Sequence, residues 1–241
     1  MLNKPTDHIV KSFDEDLKRL NNVIAEMGGL AERQIGDALD ALNRRDTVLA
    51  RGVIAADARV DSLQHQIEEK AILTIARRQP MAVDLRDLVG ALRVSNDLER
   101  IGDLAKNIAK RVEVMDGELS LQKVMRGIEH MTELVLTQIK EVLDAYARRD
   151  VAKAMQVWRA DEEVDAVNNS LFRELLTYMM EDPRNISLCT HLLFCAKNIE
   201  RMGDHATNIA ETIYYMVEGY ILPDDRPKGD HTSTTNIPYR N

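Results

Sequence analysis

The sequence predicts an all-α protein made of two tandem three-helix bundles related by pseudo-twofold symmetry. Hydrophobic residues make up 44% of the chain but aromatic residues only 4%, a balance that favours helix packing over a β-sandwich. A segment that begins at Gln34 recurs from Gln138 with about half of the aligned positions identical. Prolines, which interrupt helices, stand at equivalent places in the two copies, Pro80 and Pro183, with none between them.

Each repeat is predicted to contain three helices joined by short turns. Arg-Arg-Asp at 44–46 and at 148–150 marks the first turn of each repeat, with Asp46 and Asp150 as helix N-caps. Gly117 is predicted to end the last helix of the first repeat. Long helices with such short connections pack as antiparallel neighbours. The predicted helices are 8–44, 47–78 and 83–115 in the first repeat, and 119–148, 151–180 and 186–219 in the second.

The repeats divide the chain into a first bundle, 8–116, a second bundle, 119–219, and a C-terminal tail, 220–241. The tail is rich in Pro, Asp, Thr and Asn and has no apolar period. Such a composition does not bury enough apolar surface to fold, so we predict a flexible tail.

Composition and charge exclude several classes of protein. The net charge of −8 and the lack of a Lys/Arg stripe argue against a nucleic-acid partner. The N-terminus has no signal-peptide pattern, and no apolar run approaches the length that spans a bilayer. Cys189 and Cys195 lie in an apolar segment and are predicted to be small buried hydrophobic residues rather than a disulfide. We therefore expect a soluble cytoplasmic protein.

The most distinctive feature is an acidic motif that occurs once in the third helix of each repeat. It reads NDLERIGDLAKNI at 96–108 and KNIERMGDHATNI at 197–209. Two acids and an amide follow at steps of four, so they share one helix face, and the apolar residues lie on the opposite side. We expect these rows to face outward, and each central glycine to mark the close approach of another backbone. The rows are Glu99, Asp103 and Asn107, and Glu200, Asp204 and Asn208.

The second helix of each repeat supplies further carboxylates at the same four-residue step. If the second and third helices are neighbours, each repeat presents a cluster of carboxylates with an amide. Oxygen ligands of this kind suit Mg, Mn or Fe ions, and the ligands alone do not choose among them. The alternative is a solvated face whose charge is neutralised by Lys106 and Lys110. The added carboxylates are Asp57 and Asp61 in one repeat, and Asp161 and Asp165 in the other.

Signals for catalysis are lacking. No histidine has a glutamate three positions before it, as di-iron bundles require, and there is no P-loop, Gly-x-Ser-x-Gly or Cys-x-x-Cys motif. His65 and His205 have no counterpart in the other repeat and are predicted to be surface or half-buried residues. We predict that the protein is not an enzyme and has no catalytic residue. A metal-handling carboxylate bundle with catalytic activity is the alternative.

Two three-helix halves, each with Glu-Arg-[Ile/Met]-Gly-Asp-x-x-x-Asn-Ile, resemble the PhoU family of accessory regulators of bacterial phosphate uptake. The likeness runs from about residue 10 to 219, and NIERMGDHATNIAE is its most specific stretch. It implies a cytoplasmic adaptor between the phosphate-specific ABC transporter and a sensor histidine kinase, which holds phosphate-starvation genes off when phosphate is plentiful. The resemblance also implies that the protein reaches the membrane only through these partners. A homodimer is expected because long amphipathic helices retain apolar surface.

The resemblance also implies metal ligands, because some members carry iron or zinc clusters on this acidic surface and others bind Mg or Mn or no metal. Arg59 stands where the second repeat has Glu163, which predicts unequal occupancy of the two sites. The implied ligands are Asp57, Asp61, Glu99, Asp103 and Asn107 in the first repeat, and Asp161, Asp165, Glu200, Asp204 and Asn208 in the second.

Overall fold

The computed structural model describes residues 11–115 and 121–223, which form six α-helices and one 3-10 turn without any strand. The predicted fold class is confirmed, and each described helix end except one lies within one residue of its prediction. The exception is the fourth helix, which begins at Gln122, three residues after its predicted start. The 3-10 turn was not predicted. The helices are α1 (Lys11–Arg44), α2 (Thr47–Arg78), α3 (Val83–Val114), α4 (Gln122–Arg148), α5 (Val151–Glu181) and α6 (Ile186–Glu218), with the 3-10 turn at Pro183–Asn185.

Some predictions fall outside the described residues. These are the start of the first helix at 8, residues 119–120 of the predicted fourth helix, the stop at Gly117 and the tail from residue 224. The division of the chain into two separate units stays a prediction.

The turn between the first two helices is built in the same way in both repeats. Asp46 accepts hydrogen bonds from the backbone N–H groups of Val48 and Leu49, both at 2.9 Å, and Asp150 accepts one from Lys153 at 3.0 Å. These bonds satisfy N–H groups that have no partner within the helix, so both predicted N-caps are confirmed. The duplicated Arg-Arg-Asp sequence therefore encodes a duplicated helix start.

The two repeats share a hydrophobic core. Within each repeat the three helices pack on one another, and α3 packs against α6 while α1 packs against α4. A Cβ atom on Gly90 of α3 would lie only 2.1 Å from Sδ of Met216 on α6, so this pair of helices approaches closely where one has no side chain. The buried apolar residues of both repeats form one connected cluster. The seam between α3 and α6 fixes one repeat against the other.

Two smaller predictions can be compared with the described structure. Cys189 and Cys195 are buried free thiols, as predicted. Among the helices described, none combines the length and the apolar character needed to cross a bilayer.

Candidate functional site: two acidic clefts

The packing of the second helix on the third gathers carboxylates along one helix–helix contact in each repeat, and we call each of these acidic contacts a cleft. Cleft 1 lies between α2 and α3, and cleft 2 lies between α5 and α6. The prediction that these helices are neighbours is confirmed. The carboxylates of cleft 1 are Asp57, Asp61, Glu99 and Asp103, and those of cleft 2 are Asp161, Asp165, Glu200 and Asp204.

A lysine joins the two walls of cleft 1. The ammonium group of Lys106 on α3 contacts Oδ2 of Asp57 on α2, and it lies 2.5 Å from Oδ1 of Asp103 one turn away on its own helix. Burial would lower the pKa of Lys106, but the hydrogen bonds to Asp103 and Asp57 outweigh it and hold the pKa above its ordinary value. The predicted neutralisation by Lys106 is present, and it also spans two helices.

Glu99 is the most perturbed carboxyl group of cleft 1. Burial contributes most to its raised pKa, followed by the negative charge of Asp103. Arg100 opposes this rise, and the charge of Asp61 adds a smaller increase in the pKa. Arg100 Nε lies 3.4 Å from Oε2 of Glu99, an ion pair between adjacent residues of α3. The four carboxylates of cleft 1 therefore outnumber Lys106 and Arg100, the two cations that contact them.

Cleft 2 is more deeply buried than cleft 1. Asp161, Asp165 and Glu200 are exposed by only 2%, 3% and 4%, respectively. Lys197 Nζ contacts Oε1 of Glu200 at 2.8 Å from the same helix. The expectation that the acidic rows face outward is wrong for Glu200, and Asp161, Asp165 and Asp57 on the second helices are buried as well. Both helices of each pair turn these side chains towards each other, so the contact surface includes carboxylates as well as apolar groups.

Each central glycine of the duplicated motif faces a glutamine and an aspartate. A Cβ atom on Gly102 would lie 3.0 Å from Oε1 of Gln34 and 3.8 Å from Oδ1 of Asp57. The corresponding position on Gly203 would lie 3.1 Å from Oδ1 of Asp161 and 3.3 Å from Oε1 of Gln138. The close approach is thus made by polar side chains, not by the backbone that we expected.

The two glutamines were missed as site residues. Gln34 and Gln138 come from the first helix of each repeat, and both are buried with unpartnered amide oxygens. Their signal in the sequence is the conspicuous Gln-Ile that opens the duplicated segment. That pattern identifies the repeat. It does not show that a side chain from the first helix reaches the contact between the second and third helices.

The two asparagines of the motif are placed differently from the carboxylates. Asn107 is exposed, whereas Nδ2 of Asn208 lies 3.4 Å from Oδ1 of Asp97 on α3. The same Asp97 oxygen is 2.9 Å from Nδ1 of His205, which is half-buried as predicted. Asn208 and His205 thus join a polar contact across the seam between the repeats. Asp97 was not identified from the sequence.

The clefts as described do not form a ready metal site. Within residues 11–115 and 121–223, no three Asp, Glu, His or Cys side chains are grouped so as to hold a metal ion. In cleft 1, the Lys106 ammonium group already contacts two of the four carboxylates. The residues are therefore not arranged for a metal in this conformation, and the ten predicted ligands stay a prediction.

Comparison with known proteins places the chain in a family. The model of the PhoU domain matches residues 24–112 and 128–213, which is most of the chain and both repeats. The chain belongs to the PhoU family. The matched segments include the acidic motifs and both clefts, so the resemblance seen in the sequence is confirmed.

Curated PhoU relatives match over nearly their whole length. A phosphate-specific transport system accessory protein PhoU homolog of Rhizobium meliloti (strain 1021) is 60% identical over 227 residues, covering 94% of this chain and 96% of the relative. A protein of the same name from Caulobacter vibrioides is 53% identical over 225 residues, covering 93% and 98%.

Solved PhoU structures share the fold. The crystal structure of PhoU from Pseudomonas aeruginosa has a TM-score of 0.83 and 38% identity, covering 86% of this chain and 100% of that one. The phosphate transport system regulatory protein PhoU from Streptococcus pneumoniae has a TM-score of 0.81 and 27% identity, covering 87% and 99%.

Proposed function

We propose that this protein is a negative regulator of the phosphate-starvation response and a modulator of phosphate uptake. It acts in the cytoplasm as an adaptor that contacts the ATPase of a phosphate ABC transporter and a sensor histidine kinase. The observation that carries the proposal is the 60% identical relative, which is named an accessory protein of a phosphate-specific transport system and matches almost end to end. The function is one of binding, not catalysis.

A physical condition follows from this role. An adaptor shifts a kinase between its states only by the difference between its affinities for them. The α3–α6 seam and the shared core keep the two repeats in one arrangement, and a rigid surface favours such discrimination because little conformational entropy is lost on binding. The protein thus reports transporter state by presenting a fixed surface to two partners.

The turn between α2 and α3 supports a binding role. Met81, Val83 and Leu85 are exposed there by 81%, 36% and 39%. Ala82 between them has a positive φ of 51°, which residues other than glycine rarely adopt. Exposed apolar groups on a strained turn are typical of surfaces that contact another protein. We expect this turn to contribute to partner binding or to a homodimer.

The first experiment is deletion of the gene in its own bacterium, with a reporter for a phosphate-starvation promoter. The proposal predicts that the reporter is active at high phosphate in the deletion strain and silent after complementation. Purified protein should also retain the transporter ATPase and the kinase in separate binding assays. A reporter that stays silent at high phosphate without the gene, together with a purified protein that retains neither partner, would contradict the adaptor role.

A paired variant separates metal from the adaptor role. Glu200→Gln with Asp204→Asn removes the charge of cleft 2 contributed by α6, while Glu162→Gln with Glu163→Gln makes the same charge change on the exposed face of α5. If cleft 2 is needed for repression, only Glu200→Gln with Asp204→Asn should activate the reporter at high phosphate. If repression and both partner contacts survive the first pair intact, any metal held there is incidental. Turnover of a substrate by the purified protein would favour the metal-handling alternative.

A further inference from the structure

Cleft 1 contains its own cation, which bridges two helices. Lys106 Nζ contacts Asp57 on α2 and lies 2.5 Å from Asp103 on α3. The side chain of Asp57 is only 8% exposed, and that of Lys106 is 20% exposed. An ammonium group that touches two carboxylates from two helices takes the place that a bridging cation would take in such a cleft.

The second repeat provides a natural comparison. The duplicated motif aligns Lys106 with Thr207, three residues after Asp103 and Asp204, respectively. The Thr207 hydroxyl donates to the backbone oxygen of Asp204 at 2.7 Å, so it completes a contact within its own helix and carries no charge. The bridging ammonium group is thus specific to cleft 1 at this position of the motif.

A buried glutamine provides a second, independent sign that cleft 1 is built for a cation. Gln34 is only 3% exposed, and neither its Oε1 nor its Nε2 has a hydrogen-bond partner. Its Oε1 and Oδ1 of Asp57 face the same point above Gly102, at 3.0 and 3.8 Å. An unpartnered amide oxygen beside carboxylates is a donor set of the kind that Mn²⁺ and Mg²⁺ accept.

We infer that Lys106 is a built-in counter-ion which occupies cleft 1 in place of a divalent cation, and that its ammonium group opposes the binding of such an ion there. Replacing Lys106 by the threonine of the other repeat removes the ammonium group between Asp57 and Asp103. Arg100, 3.4 Å from Oδ2 of Asp103, then remains beside four carboxylates, whose charge it does not balance. The excess negative charge favours an oxygen-binding divalent ion. The inference does not depend on the adaptor role, because it concerns occupancy of the cleft in the isolated protein.

The test is Mn²⁺ binding to the full chain, measured by calorimetry and by the loss of the free-ion electron paramagnetic resonance signal. Lys106→Thr should bind one more Mn²⁺ per chain than the wild type, and the ion should raise the melting temperature of the variant more than that of the wild type. The exposed Lys110→Thr on the same helix is the matched control and should leave the stoichiometry unchanged. Asp57→Asn added to Lys106→Thr should abolish the additional site.

Two results would overturn the inference. One is a folded Lys106→Thr protein, verified by circular dichroism, with the stoichiometry of the wild type. The other is a wild-type protein whose Mn²⁺ binding is lost on Asp57→Asn, since the ion would then share cleft 1 with the lysine. If Lys106→Thr does not fold without metal, refolding on addition of Mn²⁺ supports the inference, and failure of both it and Lys106→Gln to refold with Mn²⁺ counts against it.

Discussion

The imidazole of His205 on α6 lies with Nδ1 2.9 Å from Oδ1 of Asp97 on α3, which makes a polar link between the two repeats. Asp97 is buried, and His205 is half-buried. The aligned positions of the other repeat carry no such pair: Leu104 of the first repeat aligns with His205, and Asn198 of the second repeat aligns with Asp97. This contact therefore breaks the internal symmetry at the seam.

Breaking this contact should weaken the seam. His205→Leu, which installs the residue of the other repeat, is expected to lower the free energy of unfolding by about 1–2 kcal/mol, because the buried Asp97 carboxylate loses a hydrogen bond. Urea denaturation followed by circular dichroism measures the change. In a double-mutant cycle with Asp97→Asn, the second substitution should cost much less once the first is present. Additive effects of the two changes would show that the pair is not coupled.

The glycines of the acidic motif should resist substitution. Alanine at an exposed helix interior is usually more stable than glycine by about 1 kcal/mol. Gly102→Ala and Gly203→Ala should instead lower stability, because the new Cβ would lie 3.0 Å from Gln34 Oε1 and 3.1 Å from Asp161 Oδ1 in packed surroundings. Gly29→Ala on the exposed side of α1, where no atom lies within 4 Å of the new Cβ, is the control. Thermal unfolding should move in opposite directions for the control and the two site variants.

The raised pKa of Glu99 predicts that removing its charge increases the stability of the folded protein, by an amount that depends on pH. A carboxyl group whose pKa is higher in the folded state than in the unfolded chain stabilises the fold at low pH, and this stability is lost as pH rises through the folded pKa. Glu99→Gln should therefore stabilise the protein at pH 7, because it removes a partly buried charge and its repulsion by Asp103. The repulsion contributes on the order of 0.5 kcal/mol.

The pH profile of unfolding tests this prediction. The advantage of Glu99→Gln should shrink as pH falls and vanish below about pH 4, where the glutamate of the unfolded chain is itself protonated. Glu162→Gln on the exposed face of α5 is the control for a general charge effect. A Glu99→Gln advantage that is equal at pH 4 and pH 7 would rule out the electrostatic origin.

The two thiols should be inert in the folded protein. Burial raises the pKa of Cys195 to about 12 and also raises that of Cys189, so neither forms the reactive thiolate at neutral pH. Labelling with a thiol reagent at pH 8 should be at least about 100-fold slower than in urea-unfolded protein. Rapid reaction of either cysteine under native conditions would show that α6 opens locally.

The sequence predicted the helices well because their signals are local. The N-caps Asp46 and Asp150 follow from residue type and spacing, and the prolines mark the second turn of each repeat. The duplicated acidic motif also identified the carboxylates that form the clefts. These features depend on neighbours in the chain, so they need no knowledge of which helix packs on which.

The tertiary structure alone decided how those carboxylates are satisfied. Helix periodicity places Glu200 on a polar face, but it does not show that α5 covers that face and buries the side chain. Likewise, Lys106 reads as a partner of Asp103 one turn away, and only the packing of α2 brings Asp57 to it, 49 residues distant in the chain. The sequence by itself thus determined the helices, the repeat and the family. Which charges meet, and which are removed from water, was decided by packing, because desolvation and long-range contacts depend on distances that one helix does not contain.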